Sequence, residues 1–389
     1  MTKPAPSSTP VLKPAGQPVV IDLQSARERA AEAAAAVPAK TLRCAVIGVG
    51  RMGRNHAKKY RVIPGVKLIG VVDANEERRL DAAEANSCPA FASVHELLEA
   101  GVDAVTIATP TVHHLAAAEP LLNAGVACLI EKPLAATTEE AERLAELSRR
   151  TGTVLMVGHI ERFNPAVVAL QRAQQADIAA GGRGIVPRFI EVHRVSPMTF
   201  RSVDVSVVMD MMIHDLDVVL MLMGGVEPSH VESSGVAVLT EHEDVCNARL
   251  TFNLPHGRCV ANITCSRLAF KTERKVRIVG ENGYVSIDFA KKAGVLIRRT
   301  ANEVQMHAIR EELRKGTDLS SLDYSKLVAM EELKMGEMDQ LEMEISAFLE
   351  AVRTGSKPPI DARAGFANVR TAQRIIEAAR KDWPATAGV

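Results

Sequence analysis

The stretch MDMMIHDLDVVLMLMGG (209–225) is apolar almost all round, and its polar exceptions are Asp210, His214, Asp215 and Asp217. Read as a helix it is buried, and positions 210, 214 and 217, spaced i, i+4, i+7, fall on one face. A polar stripe on a buried helix is either satisfied internally or lines a cavity. An Asp one turn from a His can accept its N–H, set its tautomer and stabilise the imidazolium, which suits a general base. The competing structural reading makes Asp210 a helix cap and His214 a hydrogen-bonded core residue. Ligation of a metal by Asp and His finds no further ligand cluster in the sequence to support it, so no metal is expected.

A second chemical group stands in IEKP (130–133), where an apolar strand meets a loop. Lys132 lies at the carboxyl edge, the place where open α/β sheets bind ligands. It could reach a substrate hydroxyl, or it could be an ordinary solvated lysine. ATPTVHH (108–114) ends a neighbouring strand at the same edge. There Thr109 either bonds a cofactor or caps the next helix.

These residues need a scaffold, and the pattern from residue 41 to 158 supplies one. AVIGVGRMGRNHA (45–57) is an apolar run, then Gly48, Gly50 and Gly53, then a helix-compatible stretch. VKLIGVVDA (66–74), VDAVTIATP (102–110), VACLIEKP (126–133) and TVLMVGH (153–159) are apolar, strand-like runs separated by helical segments. Such alternation implies a parallel sheet covered on both faces, doubly wound by right-handed crossovers. Asp73 ends the second strand 20 residues after Gly53. In that setting the glycine turn is a dinucleotide site: backbone N–H groups approach a pyrophosphate at a helix N-terminus, and Asp73 accepts hydrogen bonds from the adenosine ribose. A 2′-phosphate would meet Asp73 as a like charge, so NAD is expected over NADP, although Arg78 and Arg79 follow about a turn later.

Past residue 180 the texture changes. NARLTFNL (247–254) and RCVANITCS (258–266) alternate at period two, and RKVRIVG and YVSIDF flank the hairpin-type turn Glu281-Asn282-Gly283. Strands in succession without intervening helices argue for an antiparallel sheet in a second domain. DQLEMEISAFLEAVRTG and FANVRTAQRIIEAARKDW return to helix, and residues 301–336 are placed only as helix or loop. The expected domains are a flexible N-terminal arm over 1–40, a Rossmann domain over 41–158, and a substrate-binding and oligomerisation domain over 159–389.

Composition narrows the partners. The 389 residues carry 47 basic and 47 acidic side chains, a formal net charge of zero, which removes a bulk electrostatic argument for nucleic acid or an anionic membrane. No apolar run approaches the ~18–20 residues of a membrane span. Residues 1–18 are rich in Pro, Ser and Ala, and Arg27, Glu28, Arg29 and Glu32 interrupt the only candidate for a secretory signal. Six cysteines without a C-x-x-C pair suit a reducing cytoplasm.

Taken in order, GVGRMGRNHA, ATPTVHH, EKP and DMMIHDLD resemble the glucose–fructose oxidoreductase/inositol dehydrogenase/MocA family over roughly residues 41–380. The resemblance implies a Rossmann domain followed by an α/β domain with a large open, mainly antiparallel sheet, through which homodimers or homotetramers form. It implies Lys132, Asp210 and His214 as the catalytic set, with Glu131 and Pro133 shaping the nicotinamide pocket. The matched motifs assign Gly48, Gly50, Arg51, Met52, Gly53, Asp73, Thr109, Pro110, His113, Glu131 and Lys132 to the cofactor. Within the family, VGHIERFNPAVVAL (157–170) looks like the UDP-N-acetylglucosamine 3-dehydrogenases that serve lipid A synthesis. By position, Arg162 would face the nicotinamide and Asn164 the sugar, unless Arg162 is a structural ion-pair partner. His193 and Arg194, in FIEVHRV, are further substrate candidates. The expected reaction is NAD-dependent oxidation of a sugar hydroxyl, most specifically C3 of UDP-N-acetylglucosamine. The alternatives are another UDP-sugar, an inositol or free hexose as substrate, or a non-catalytic protein that senses NAD; the sensor has no need of lysine, histidine and aspartate together.

Overall fold

The computed structural model describes residues 41–200, 203–320, 322–333, 336, 338–381 and 383. The expected arm over 1–40 lies outside the described residues. Six strands, β1 (Leu42–Ile47), β2 (Val66–Val72), β3 (Ala90–Phe91), β4 (Ala104–Ile107), β5 (Ala127–Glu131) and β6 (Leu155–Gly158), form a parallel sheet in the order 3-2-1-4-5-6. The order reverses between β1 and β4, and that switch point opens a crevice at the carboxyl ends. Helices α1 (Arg51–Val62), α2 (Glu76–Asn86), α3 (Val94–Glu99), α4 (His114–Asn123) and α5 (Thr138–Thr151) complete the unit. Their starts follow local chemistry: the side chains of Asn75, Ser93 and Thr137 each accept a backbone N–H of the first turn. Gly152, at φ 68°, ends α5 in the left-handed conformation.

The second sheet has eight strands: β7 (Pro187–Val195), β8 (His230–Val236), β9 (Val245–Leu254), β10 (Gly257–Ser266), β11 (Glu273–Gly280), β12 (Gly283–Asp288), β13 (Ala293–Arg299) and β14 (Val328–Glu332). Their order is 14-13-12-11-7-10-9-8, and every pair is antiparallel except β7 with β10. One face is apolar, with Cys246, Ala248, Leu250 and Phe252 of β9 fully buried. The other carries Asn247, Arg249, Glu191, His193, Lys275 and Arg277, half-buried or exposed. Residues 301–336, expected as helix or loop, contain α8 (Glu303–Arg314) and the edge strand β14. VAMEE hides β14 from a sequence pattern because four of its five residues are exposed, so no apolar alternation marks it.

α6 (Pro165–Ala179) and α7 (Ile213–Leu222) belong to the second unit, but the closing helices α9 (Gln340–Thr354) and α10 (Ala362–Arg380) serve both. Ile345, Phe348 and Leu349 of α9 are buried in the first core, and Ala372, Ile375 and Ile376 of α10 in the second. Burial of each large apolar side chain contributes roughly 1.5–3 kcal/mol. The chain's end therefore clamps one unit to the other, directly behind the crevice.

Candidate active site

The segment entering α7 is not a regular helix. Val208–Met212 is a π-turn, in which the Ile213 N–H reaches the Val208 carbonyl, five residues back. The expected Asp210–His214 pair is corrected by the contacts themselves: His214 Nδ1 has no hydrogen-bond partner, and Asp210 serves Lys132. Its Oδ1 stands 3.7 Å from Lys132 Nζ, which donates a hydrogen bond to the Asp210 main-chain oxygen at 2.8 Å. β5 delivers Lys132 from the first unit and the π-turn delivers Asp210 from the second, so the contact spans the crevice. Both side chains are only partly buried, 18% and 30% exposed.

His214 is a half-buried ring whose Nδ1 is buried without a hydrogen-bond partner. Burial holds its pKa well below the usual imidazole value, and the cations of Lys132 and Arg194 push the same way. The ring is neutral at pH 7 and free to accept a proton. Lys132 is itself lowered, by burial first, with Asp210 and Glu131 opposing. Beside them His159, at the end of β6, is buried with both ring nitrogens unpartnered, and burial lowers its pKa too.

The remaining candidates on the second unit are engaged elsewhere. Arg162 donates from Nε and Nη2 to the two carboxylate oxygens of Asp217, both at 2.6 Å, and from Nη1 to the Pro359 carbonyl. It is a buried ion-pair partner, the structural role weighed for it beside facing the nicotinamide. Asn164 is buried, caps α6 through the Ala166 N–H and donates to Glu161, so it too is committed internally. Arg194, a substrate candidate on β7, bonds Asp215 and Glu161 from a buried position. His193 follows from strand geometry. Consecutive residues of a strand point to opposite faces, so His193 lies on the polar sheet face with Glu191, away from α7. It does not share a site with His214.

The cofactor side is built as the glycine pattern requires. At Gly48, φ 84°, an added Cβ would meet Thr109 N at 2.6 Å, and at Gly53 it would meet the Gly48 carbonyl at 1.8 Å. A Cβ added at Gly50 would point into open space. Helix α1 starts right after it with no side-chain cap and no acid in the first turn. Its free N–H groups and positive dipole end thus suit a pyrophosphate. Arg51 is exposed and Met52 half-buried at this mouth. Asp73 accepts from the Val49 and Asn75 N–H groups, each at 2.9 Å, which fixes the turn and leaves lone pairs for a ribose. Arg78 lies 3.8 Å from it. Thr109 does not cap α4: its hydroxyl is buried and unpartnered. Pro110 and His113 are exposed beside it.

Sequence spacing missed the residue that joins these loops. Buried His114 sets Nδ1 3.0 Å from the Pro133 carbonyl and Nε2 3.1 Å from that of Thr109. Burial favours its neutral form, which donates through one nitrogen at a time. Also unforeseen are Arg274, whose charge acts on His214, and the buried acid Glu344. Distance along the chain hid them, since nothing local in the sequence pairs β5 with α9.

Two family models match the chain: the oxidoreductase family's NAD-binding Rossmann fold over residues 42–159, and its C-terminal alpha/beta domain over 202–386. The UDP-N-acetylglucosamine 3-dehydrogenase of Acidithiobacillus ferrooxidans is 42% identical over 283 residues, covering 72% of this chain and 84% of that protein. A solved structure of the same organism's UDP-N-acetylglucosamine 3-dehydrogenase GnnA superposes with a TM-score of 0.74 at 37% identity, covering 87% of this chain and 98% of that one. The scyllo-inositol 2-dehydrogenase (NAD(+)) of Bacillus subtilis is 28% identical, covering 66% of this chain and 76% of that protein. With both domain models matched in order over a crevice that fits the dinucleotide, the chain belongs to the glucose–fructose oxidoreductase/inositol dehydrogenase/MocA family of oxidoreductases.

Proposed function

We propose that the protein oxidises C3 of UDP-N-acetylglucosamine to a ketone, with NAD as the hydride acceptor. The observation that carries this reading is the 42% identity to a UDP-N-acetylglucosamine 3-dehydrogenase over most of both chains. The side chains at the crevice suit the chemistry. His214, a neutral ring only half-buried at the crevice, takes the proton of the sugar hydroxyl. Lys132, held by Asp210 across the crevice, steadies the alkoxide as it develops. Bound NAD supplies the acceptor for the hydride. A 3-keto sugar nucleotide is the form a transaminase needs, which places the reaction before an amination, as in lipid A synthesis. Six free cysteines suit a reducing cytoplasm. Among the described residues no helix is long and apolar enough to cross a membrane. The polar face of the eight-stranded sheet is the surface on which a second copy would pack.

Purified protein incubated with NAD or NADP and a panel of UDP-sugars, inositols and free hexoses tests the proposal. We expect UDP-N-acetylglucosamine with NAD to give the fastest reduction and a product carrying its carbonyl at C3. Faster turnover of an inositol or a free hexose overturns the substrate. Equal or tighter binding of NADP overturns the assignment of Asp73 as the group that excludes a 2′-phosphate.

A further inference from the structure

Behind the crevice, three side chains from three elements converge: His56 of α1, Glu131 at the end of β5 and Glu344 of α9. Their ligating atoms all lie within 4.8 Å of one another. His56 Nε2 is 3.0 Å from Glu131 Oε1, and Glu131 Oε2 accepts the Lys132 N–H at 3.3 Å. His56 Nδ1 is 3.2 Å from the Thr106 hydroxyl, which is 2.9 Å from the hydroxyl of fully buried Tyr60. Glu344 is fully buried, and neither of its carboxylate oxygens has a hydrogen-bond partner.

Two carboxylates this close in a dry interior do not both ionise. Glu131 has the better claim to the charge, since it receives two hydrogen bonds and is 13% exposed. An ionised carboxylate only accepts, so His56 donates from Nε2, and with the ring neutral Nδ1 accepts. Thr106 therefore donates to His56, and Tyr60 to Thr106. The chain of donors is complete and ends on Glu131, and it leaves the second acid to carry a proton.

We infer that Glu344 is a positioning residue: as a neutral carboxylic acid it directs its proton to Glu131 and, with His56, fixes the Glu131–Lys132–Pro133 loop against the nicotinamide. Its surroundings agree. Burial and the negative charges of Glu131 and Asp217 all raise its pKa well above the carboxylate range. Tyr60 and His56 face it from α1, and Asp217 from α7 is already neutralised by Arg162. From the turn after β6, Glu161 is paired with Arg194. Glu342, on its own helix, pairs outward with Lys59. The inference rests on the crevice being the catalytic one proposed above, but its test does not depend on which sugar is oxidised.

NADH titrated into the full chain by nicotinamide fluorescence, from pH 6 to 9, is that test, with Glu344→Gln and Glu344→Leu beside the wild type. Gln reproduces the neutral acid's shape and donor; Leu packs but cannot donate. We expect Glu344→Gln to bind NADH within about threefold of wild type, and Glu344→Leu to bind about ten- to a hundredfold more weakly, the order that misplacing a positioning loop costs. Wild-type affinity should fall at alkaline pH as Glu344 ionises against Glu131, and the Gln variant should lack that fall. Equal losses in Gln and Leu variants with intact circular dichroism would show that the ionised carboxylate is needed, as at a cation site, and would overturn the inference. So would a wild-type alkaline profile that the Gln variant retains. If no UDP-sugar is turned over, the NADH titration still reads the role of Glu344.

Discussion

On the proposed reading, His214 as proton acceptor and Asp210 as the partner of Lys132 do different jobs, and mutants should separate them. His214 is kept neutral by burial and by Lys132 and Arg194, not by a carboxylate at its ring. Its replacement by Ala should lower kcat by about 10²–10⁴, the usual range for a general acid–base group, with NAD affinity little changed. Lys132→Met should lose a similar factor, because the stabilised alkoxide exists mainly in the transition state. Asp210→Asn should cost less than either. The main-chain oxygen of Asp210 still receives Lys132 Nζ, so only the 3.7 Å charge contact is removed. Steady-state rates with NAD titrations for the three variants are the check. If His214→Ala keeps its turnover and loses only stability, His214 is a core residue and the base lies elsewhere.

Elements decide which residues can meet, and here periodicity in the sequence reached only part of the way. Apolar runs such as LRCAVI and ACLIE are readable as parallel strands because both their faces are buried. The capping residues Thr137 and Asp339 mark helix starts by the same local logic. The π-turn at Val208–Met212 leaves no such mark, nor does any local pattern show that Asp210 meets Lys132, 78 residues away. Likewise FIEVHRV shows that His193 and Arg194 are adjacent, and strand geometry then sends them to opposite faces. The partner of Arg162 lies 55 residues away on α7, beyond any local pattern. That buried bidentate pair joins the turn after β6 to α7. Removing one partner leaves a buried charge, so Arg162→Met should cost about 3–5 kcal/mol in urea unfolding. The double variant Arg162→Met/Asp217→Leu should recover most of it, since no charge is stranded. A single variant of normal stability but lost NAD binding would return Arg162 to the cofactor.

Across the whole molecule a formal charge of zero conceals buried groups that titrate in opposite senses. His114, His159 and His214 all have pKa values lowered by burial from 6.5, so the unfolded chain takes up protons there that the folded one refuses. Their contribution to stability is present above pH 6.5 and is lost as pH falls below it, at up to about 1.4 kcal/mol per pH unit for each ring. Glu344 runs the other way. Its folded pKa lies well above 4.5, so the folded protein keeps a proton that the unfolded chain has released. That group's contribution is full below pH 4.5 and shrinks as pH rises toward the folded value, by at most about 1.4 kcal/mol per unit. Stability should therefore peak near neutrality, falling steeply on the acid side and gently on the alkaline side. Urea unfolding from pH 5 to 8.5 measures both limbs. In Glu344→Gln the acid limb should remain, because the three histidines are untouched, while the difference in stability from wild type should change steadily in the variant's favour between pH 6.5 and 8.5. Parallel curves over that interval would mean that Glu344 does not carry the proton, and the cation-site reading of the same three residues would then explain its unpartnered oxygens.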